Sequence, residues 1–250
     1  MGQTVCRAVC DDPALDLVAA VDPHHAGLDL RSVTGIDDNT LQVSAAGEEF
    51  LRQGVQVAVD FTRIDAARKN LRFLAEHGIH AVVGTSGFAQ ADYDRARAAF
   101  TSSNCIIAPN FAVGAVLMTR FAELAAPFFE TAEIIELHHD QKVDAPSGTA
   151  MHTVERMAAA SDQWAADPTT HHTLEGARGG RGPAGIPVHS VRLRGIVAHQ
   201  EVLLGTTGQT LTIRHDSYDR TSFMPGVVLA VKRVAELPGL TVGLDAVLGV

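Results

Sequence analysis

The densest chemistry in this sequence lies in Glu136-Leu137-His138-His139-Asp140-Gln141-Lys142-Val143-Asp144-Ala145-Pro146-Ser147-Gly148-Thr149-Ala150. Two imidazoles, able to exchange protons near neutrality, precede an ammonium by a few residues, and either His138 or His139 has the chemistry of a general acid. The Asp, Pro and Ser that follow mark a helix start. Exposed amides at Gly148 and Thr149 in its first turn have no intrahelical partner, and the helix dipole favours a carboxylate there. Lys142 adds a full positive charge nearby. The competing readings are a metal pair, a solvated loop, or a helix cap with incidental histidines. Zinc needs further ligands at known spacings, and adjacent histidines with neither Cys nor an HExxH pattern supply none, so no metal is expected. Ser147 lacks the glycines of a nucleophile elbow and reads as part of the helix start.

Those side chains need elements to hold them. Apolar runs at Leu15–Val21, Val55–Val59, Ile79–Val83 and Cys105–Ala108 end at Asp22, Asp60, Gly84 and Pro109, and each reads as a buried parallel strand. Helical spacing fills the gaps: Ala67, Leu71 and Leu74 before a stop at Gly78, then Ala91–Phe100. A short amphipathic helix, with Val5, Ala8 and Val9 on one face, opens the chain. Strands alternating with helices predict a doubly wound α/β sheet of the Rossmann type, where ligands sit beyond the carboxyl ends of the strands. The segments placed there are Asp22, Gly84-Thr85-Ser86-Gly87 and Ala108-Pro109-Asn110-Phe111. Asp22 follows Gly2 by 20 positions, the spacing of an acidic residue that receives a ribose hydroxyl, although a turn cap is an equal reading. Small residues at Gly84, Thr85 and Ser86 let a cofactor approach the backbone. Ala108 to Phe111 stands where the pattern changes, the expected meeting place of nicotinamide and substrate.

After Asn110 a long helical stretch leads to a strand at Glu133–Leu137, and past Pro187 the pattern alternates with period two, as in Val191 and Leu193 and in Leu211 and Ile213. This is the signature of a second, α+β domain with a more open sheet. The expected boundaries are 1–109 with 217–250 for the dinucleotide-binding domain and 110–216 for the second, substrate-binding domain. Gly, Pro and Arg gather in the loop from Ala165 to Pro187, where a single Arg178-Gly179-Gly180-Arg181 run is the only hint of RNA contact.

Composition narrows the class. Twenty Lys and Arg against 29 Asp and Glu give a net charge of −9, which argues against general binding of nucleic acid. No apolar run is long enough for a membrane span and the start lacks a signal peptide, so no membrane partner is expected. Cys6, Cys10 and Cys105 form no CxxC pair, which fits reduced thiols in the cytoplasm.

The Glu136–Ala150 segment resembles the signature of the dihydrodipicolinate reductase family, bacterial enzymes of diaminopimelate and lysine synthesis. The resemblance continues through Val59-Asp60-Phe61-Thr62, Gly84-Thr85-Ser86-Gly87-Phe88, Ala108-Pro109-Asn110-Phe111, Gly185-Ile186-Pro187-Val188-His189-Ser190-Val191-Arg192 and Arg214-His215-Asp216-Ser217. It implies NADH- or NADPH-dependent reduction of 4-hydroxy-tetrahydrodipicolinate. It further implies His138 as catalytic acid and base, Lys142 as a second proton donor, and His139, Gly148 and Thr149 as holders of a small dicarboxylate substrate. Gly84, Thr85, Ser86 and Ala108 to Phe111 would contact the cofactor, Asp22 would meet the adenosine ribose, and the assembly would be a homotetramer, with tetramerisation added to the role of the second domain, 110–216. The family's first strand and GxxGxxG turn have no counterpart here, Gly2 matching the last glycine of that turn, so about ten residues are expected upstream of Met1. Two other readings are a non-catalytic or N-truncated descendant that keeps the fold, and another two-domain nicotinamide dehydrogenase.

Overall fold

The computed structural model describes residues 1–36 and 40–250. They form two compact units: Met1–Phe111 with Arg220–Val250, and Ala112–Asp219.

The first unit opens with α1 (Gly2–Cys10), an amphipathic helix whose Val5 and Val9, four residues apart, are buried. Two single-turn helices, α2 (Leu30–Thr34) and α3 (Glu48–Arg52), precede an alternation of strand and helix: β1 (Val57–Asp60), α4 (Ile64–Glu76), β2 (His80–Val83), α5 (Gln90–Ala99) and β3 (Cys105–Ile107). The second unit contributes α6 (Val113–Ala125), β4 (Thr131–His138), α7 (Gly148–Ala160), β5 (Gly180–Arg181), β6 (Pro187–Arg192), β7 (Ala198–Thr206) and β8 (Gln209–Ser217). The chain returns to the first unit with α8 (Met224–Arg233), β9 (Leu240–Val242) and α9 (Asp245–Leu248).

Strands β1, β2, β3 and β9 form a parallel sheet in that order. Ala81, Val82, Val83, Cys105, Ile106 and Ile107 are almost wholly buried, as continuous apolar strands covered on both faces should be. Helix α4 turns Ala67, Leu71, Leu74 and Ala75 inward, and Gly78 follows with φ of 68°, a left-handed conformation that glycine takes without a Cβ clash. Parallel pairing directs the carboxyl ends of β1, β2 and β3 to one edge, so Asp60–Thr62, Gly84–Phe88 and Ala108–Phe111 share that edge.

One expected strand is absent. Leu15–Val21 runs outside the sheet as half-buried or exposed chain, tied down by a single bridge from Val21 to Ser44. The physical reason is that no ladder partner is within reach: β1 is the edge of the sheet with one side unpaired, but a cavity of about 620 Å³ is lined on one side by β1 and on the other by this segment. Val5 and Val9 of α1, Leu15, Val18, Val57 and Val59 line the cavity. An apolar run without a neighbour to bond cannot form a ladder, whatever its propensity.

In the second unit the sheet order is β5-β6-β4-β7-β8, with β4 parallel to β6 and antiparallel to β7. Period-two alternation sorts its residues. Ile134, Val188, Val202 and Leu204 form a core with Met118 and Ala122 of α6 and with Val154 and Met157 of α7. Ile135, Leu137 and Leu203 alternate with them and so belong to the opposite face. The segment after α7 is held by Arg178, which pairs with Glu133 of β4 and with Asp167.

Candidate active site

The site in the second unit begins with strand geometry. Glu136 and His138 are two residues apart on β4 and therefore share a face, the one turned towards the helices. Parallel pairing sets Ser190 beside Glu136 and Arg192 beside His138. Glu136 is fully buried, and an isolated carboxylate there would be prohibitively costly. It is not isolated. Arg192 donates to both oxygens, Nη1 to Oε2 at 2.9 Å and Nη2 to Oε1 at 2.8 Å, the paired geometry in which a guanidinium binds a carboxylate best. The Ser147 N–H donates to Oε1 at 3.2 Å, and Nδ1 of His138 lies 2.5 Å from Oε2. Burial pushes the Glu136 carboxyl up, but hydrogen bonds from Arg192, Ser190 and His138 outweigh it and hold the group below its ordinary value.

His138 is held below its ordinary value, first by burial, which disfavours the imidazolium, and then by the positive charges of Lys142 and Arg192. Glu136 works in the opposite direction and offsets this in part. With Nδ1 engaged, Nε2 has no partner among the described residues and is the nitrogen left for exchange. Lys142 is anchored by Asp144, whose two oxygens lie 2.8 and 2.9 Å from Nζ. Arg192 reaches past Glu136 to the Asp144 carbonyl at 2.5 Å, tying the Lys142 loop to the strand.

Helix α7 starts as the sequence predicts. Ser147 is its N-cap and accepts from the Ala150 N–H at 3.2 Å. Gly148 is exposed, and a Cβ there would meet nothing within 4 Å, so its backbone opens on free space. His139 is exposed, and its backbone N–H donates to the Val197 carbonyl at 3.3 Å. The structure thus gathers His138, Lys142, Gly148 and Thr149 around one strand end and one helix start.

In the first unit the sheet edge carries the remaining candidates. Thr85 is buried with its hydroxyl turned inward, donating to the Thr62 carbonyl at 2.9 Å and lying 3.4 Å from Asp60. Ser86 is exposed. The amides of Thr85, Ser86, Gly87 and Phe88 have no protein partner among the described residues, an unfilled set of donors at the carboxyl edge. Gly84 packs closely: a Cβ there would fall 2.1 Å from the Phe61 ring, a side chain that would have to turn aside. Ala108 and Phe111 are buried, Phe111 packing on Phe61 with ring centroids 5.7 Å apart, while Pro109 is exposed. Asp22 caps its own turn, accepting from the His24 N–H at 2.9 Å, and its other oxygen lies 2.8 Å from His25 Nδ1. The His24 bond, then the His25 bond, hold its carboxyl below the ordinary value. The open amides of Thr85 to Phe88 and the parallel sheet edge fit a dinucleotide, whose phosphates and carboxamide need donors of that kind. Among the described residues no group of three or more His, Cys, Asp or Glu is placed to hold a metal. No described helix is long and apolar enough to cross a membrane.

Two residues of this site, Glu136 and Arg192, carry structural weight that reading from His138 forward misses. The signal for the first is the Glu-x-His spacing on a strand, which puts both side chains on one face. Arg192 has none until the pairing of β4 with β6 is known.

These features define an oxidoreductase of the NAD(P)-dependent class, with a dinucleotide-binding unit and a separate α+β unit. The chain belongs to the dihydrodipicolinate reductase family: its N-terminal model matches residues 1–111 and its C-terminal model residues 114–248. A 4-hydroxy-tetrahydrodipicolinate reductase of Nocardia farcinica is 51% identical over 98% of this chain and 93% of its own length. One of Corynebacterium urealyticum is 46% identical over 100% of this chain and 94% of its own. The dipicolinate-bound dihydrodipicolinate reductase of Paenisporosarcina sp. TG-14 superposes with a TM-score of 0.86 at 39% identity, over 98% of this chain and 94% of that one.

Proposed function

We propose that this chain reduces 4-hydroxy-tetrahydrodipicolinate with NADH or NADPH, with His138 exchanging the proton through Nε2 and Lys142 supporting it as a second donor. The single observation that carries this reading is the His138 imidazole held at Nδ1 by a buried carboxylate, with an anchored ammonium close enough to act on it. A bound nicotinamide supplies the hydride. The chain's part is the rest of the balance: the substrate loses its hydroxyl together with a neighbouring ring proton as water, gains hydride, and takes up a proton on carbon. Once protonated on Nε2, an imidazole held below its ordinary pKa and flanked by an ammonium is a stronger acid than a free one, which suits that transfer, since the acid must give its proton up readily. The substrate is a dicarboxylate, and His139, the Gly148 and Thr149 amides and the positive end of α7 are the groups to receive it. The backbone amides of Thr85 and Ser86, with Gly84, and the turn Ala108-Pro109-Asn110-Phe111 contact the cofactor, and Asp22 meets the adenosine ribose. The helix-free face of the five-stranded sheet, with Ile135, Leu137 and Leu203, is the surface on which a homotetramer assembles, and the enzyme works in the cytoplasm.

Steady-state kinetics on Lys142→Met and His138→Gln test the roles. Each lowers kcat by about 10² to 10⁴, the range for loss of a general acid or base, with NADH affinity unchanged. Equal losses in turnover and cofactor binding would sink the assignment.

A further inference from the structure

We infer that Glu136 and Arg192 form a positioning pair for the reaction: Arg192 fixes the buried Glu136 carboxylate, and Glu136 holds the His138 imidazole with its proton on Nδ1, leaving Nε2 to exchange with substrate. The inference rests on the proposed role of His138 but concerns residues that neither touch the reacting atoms nor belong to the His138–Thr149 run.

Its warrant is geometric. A neutral imidazole has two tautomers, and the hydrogen bond at one nitrogen decides which is present. Oxygen Oε2 of Glu136 is 2.5 Å from Nδ1, so an ionised Glu136 makes Nδ1 the donor. The carboxylate is kept ionised in a fully buried position by two bonds from Arg192 and one from the Ser147 N–H. Those three bonds come from two places in the chain, β6 and the cap of α7, and Arg192 also reaches the Asp144 carbonyl in the Lys142 loop. Glu136 thereby links the acid, its neighbouring ammonium and the helix start meant for the substrate carboxylate. Fixing these to one another is what a reaction with strict approach geometry requires, and a displacement of 1 Å costs about 10²-fold in rate.

The pair also sets the charge at His138. The charged groups that act on it are Glu136 on its own strand, Arg192 on β6 and Lys142 in the following loop, with Asp144 bound to Lys142. Glu136 favours the imidazolium, and Arg192 counters it both directly and by engaging the carboxylate. Removing one member or the other should therefore move the His138 titration in opposite directions.

The test uses the full-length protein with 13C,15N-labelled histidine. The His138 resonances are identified by their loss in His138→Gln, and Glu136→Gln and Arg192→Met are titrated beside the parent. The expected result is Nδ1–H in the parent, a titration midpoint moved to lower pH in Glu136→Gln, and one moved to higher pH in Arg192→Met. In kinetics, Glu136→Gln lowers kcat roughly 10²-fold with KM for substrate within about twofold, and the pH–rate limb moves with the NMR midpoint. Shifts in the same direction, or a parent imidazole protonated on Nε2, would overturn the inference. Should one variant fail to fold, the other still fixes the sign of its own shift, and an unmoved midpoint in it refutes the pair. If His138→Gln keeps full turnover while the midpoints move as stated, the proposed function fails and the coupling stands.

Discussion

Replacing Gly226 by Ala should both unfold the first unit more easily and loosen its hold on cofactor. A Cβ at Gly226 would fall 2.1 Å from the Phe111 carbonyl oxygen and 3.1 Å from a Leu244 methyl. The first separation has to grow by about 1.3 Å to reach the 3.4 Å at which ordinary contact begins. The obstacle is backbone, in the turn that follows β3, and both Phe111 and Leu244 are buried, so no side-chain rotation relieves it. Overpacking a tight core costs about 1–3 kcal/mol, occasionally more, and a backbone clash belongs at the top of that range. With roughly 2–4 °C of Tm per kcal/mol for a chain of this size, the melting transition should fall by about 6–12 °C. Gly84→Ala is the control. Its Cβ meets the far edge of the Phe61 ring, also at 2.1 Å, but that ring is partly exposed and can swing aside, so about 1–2 kcal/mol is expected. Calorimetry gives both Tm values, and fluorescence titration with NADH should show weaker binding for Gly226→Ala, because Ala108–Phe111 moves with Phe111. Equal Tm losses in the two variants, or a Gly226→Ala protein with unchanged Tm and NADH affinity, would refute the argument.

Further outcomes follow from single features. NADH should be accepted at least as well as NADPH, because an ionised Asp22 favours a free ribose hydroxyl over a 2′-phosphate, and Asp22→Asn should raise relative use of NADPH; strong NADPH preference by the parent at pH 8 would count against Asp22 as selector. His215 is held below its ordinary 6.5, first by burial. The unfolded chain therefore binds more protons just below that pH, and stability drops as pH falls through the window between the two values. His215→Gln should flatten that slope in denaturant titrations run from pH 7.5 to 5.5; parallel slopes would remove His215 as the cause. Amides of Leu17, Val18 and Ala19, which donate to no described group, should exchange with deuterium far faster than those of Val82 and Ile106 at the sheet centre. Protection of Val18 equal to that of Val82 would contradict the unpaired edge.

Much of this was legible in the residues. The parallel strands at β1, β2 and β3 announce themselves as apolar runs ended by aspartate, glycine and proline in turn, and the Ser147 cap and the helix behind it follow from local hydrogen-bond chemistry. The second unit shows in the switch to period two. Leu15–Val21 misled because an apolar run says that a segment suits a strand, whereas a ladder also needs a neighbour, which is a property of the fold. β9, three residues long, carries too little pattern to be seen alone. At the site, His138 and Lys142 stand out by type, while Glu136 is inferable only once the strand is taken seriously as a two-faced object. The contribution of Arg192 is set by a strand register across 56 residues of sequence, and nothing local encodes it.

Catalysis is tested by offering synthase-generated 4-hydroxy-tetrahydrodipicolinate to the purified protein with NADH and, separately, with NADPH, and following nicotinamide absorbance. The expected result is substrate-dependent oxidation of the reduced cofactor with stoichiometric tetrahydrodipicolinate, lost in His138→Gln. Binding of NADH without turnover of this substrate, by protein shown to be folded, would contradict it.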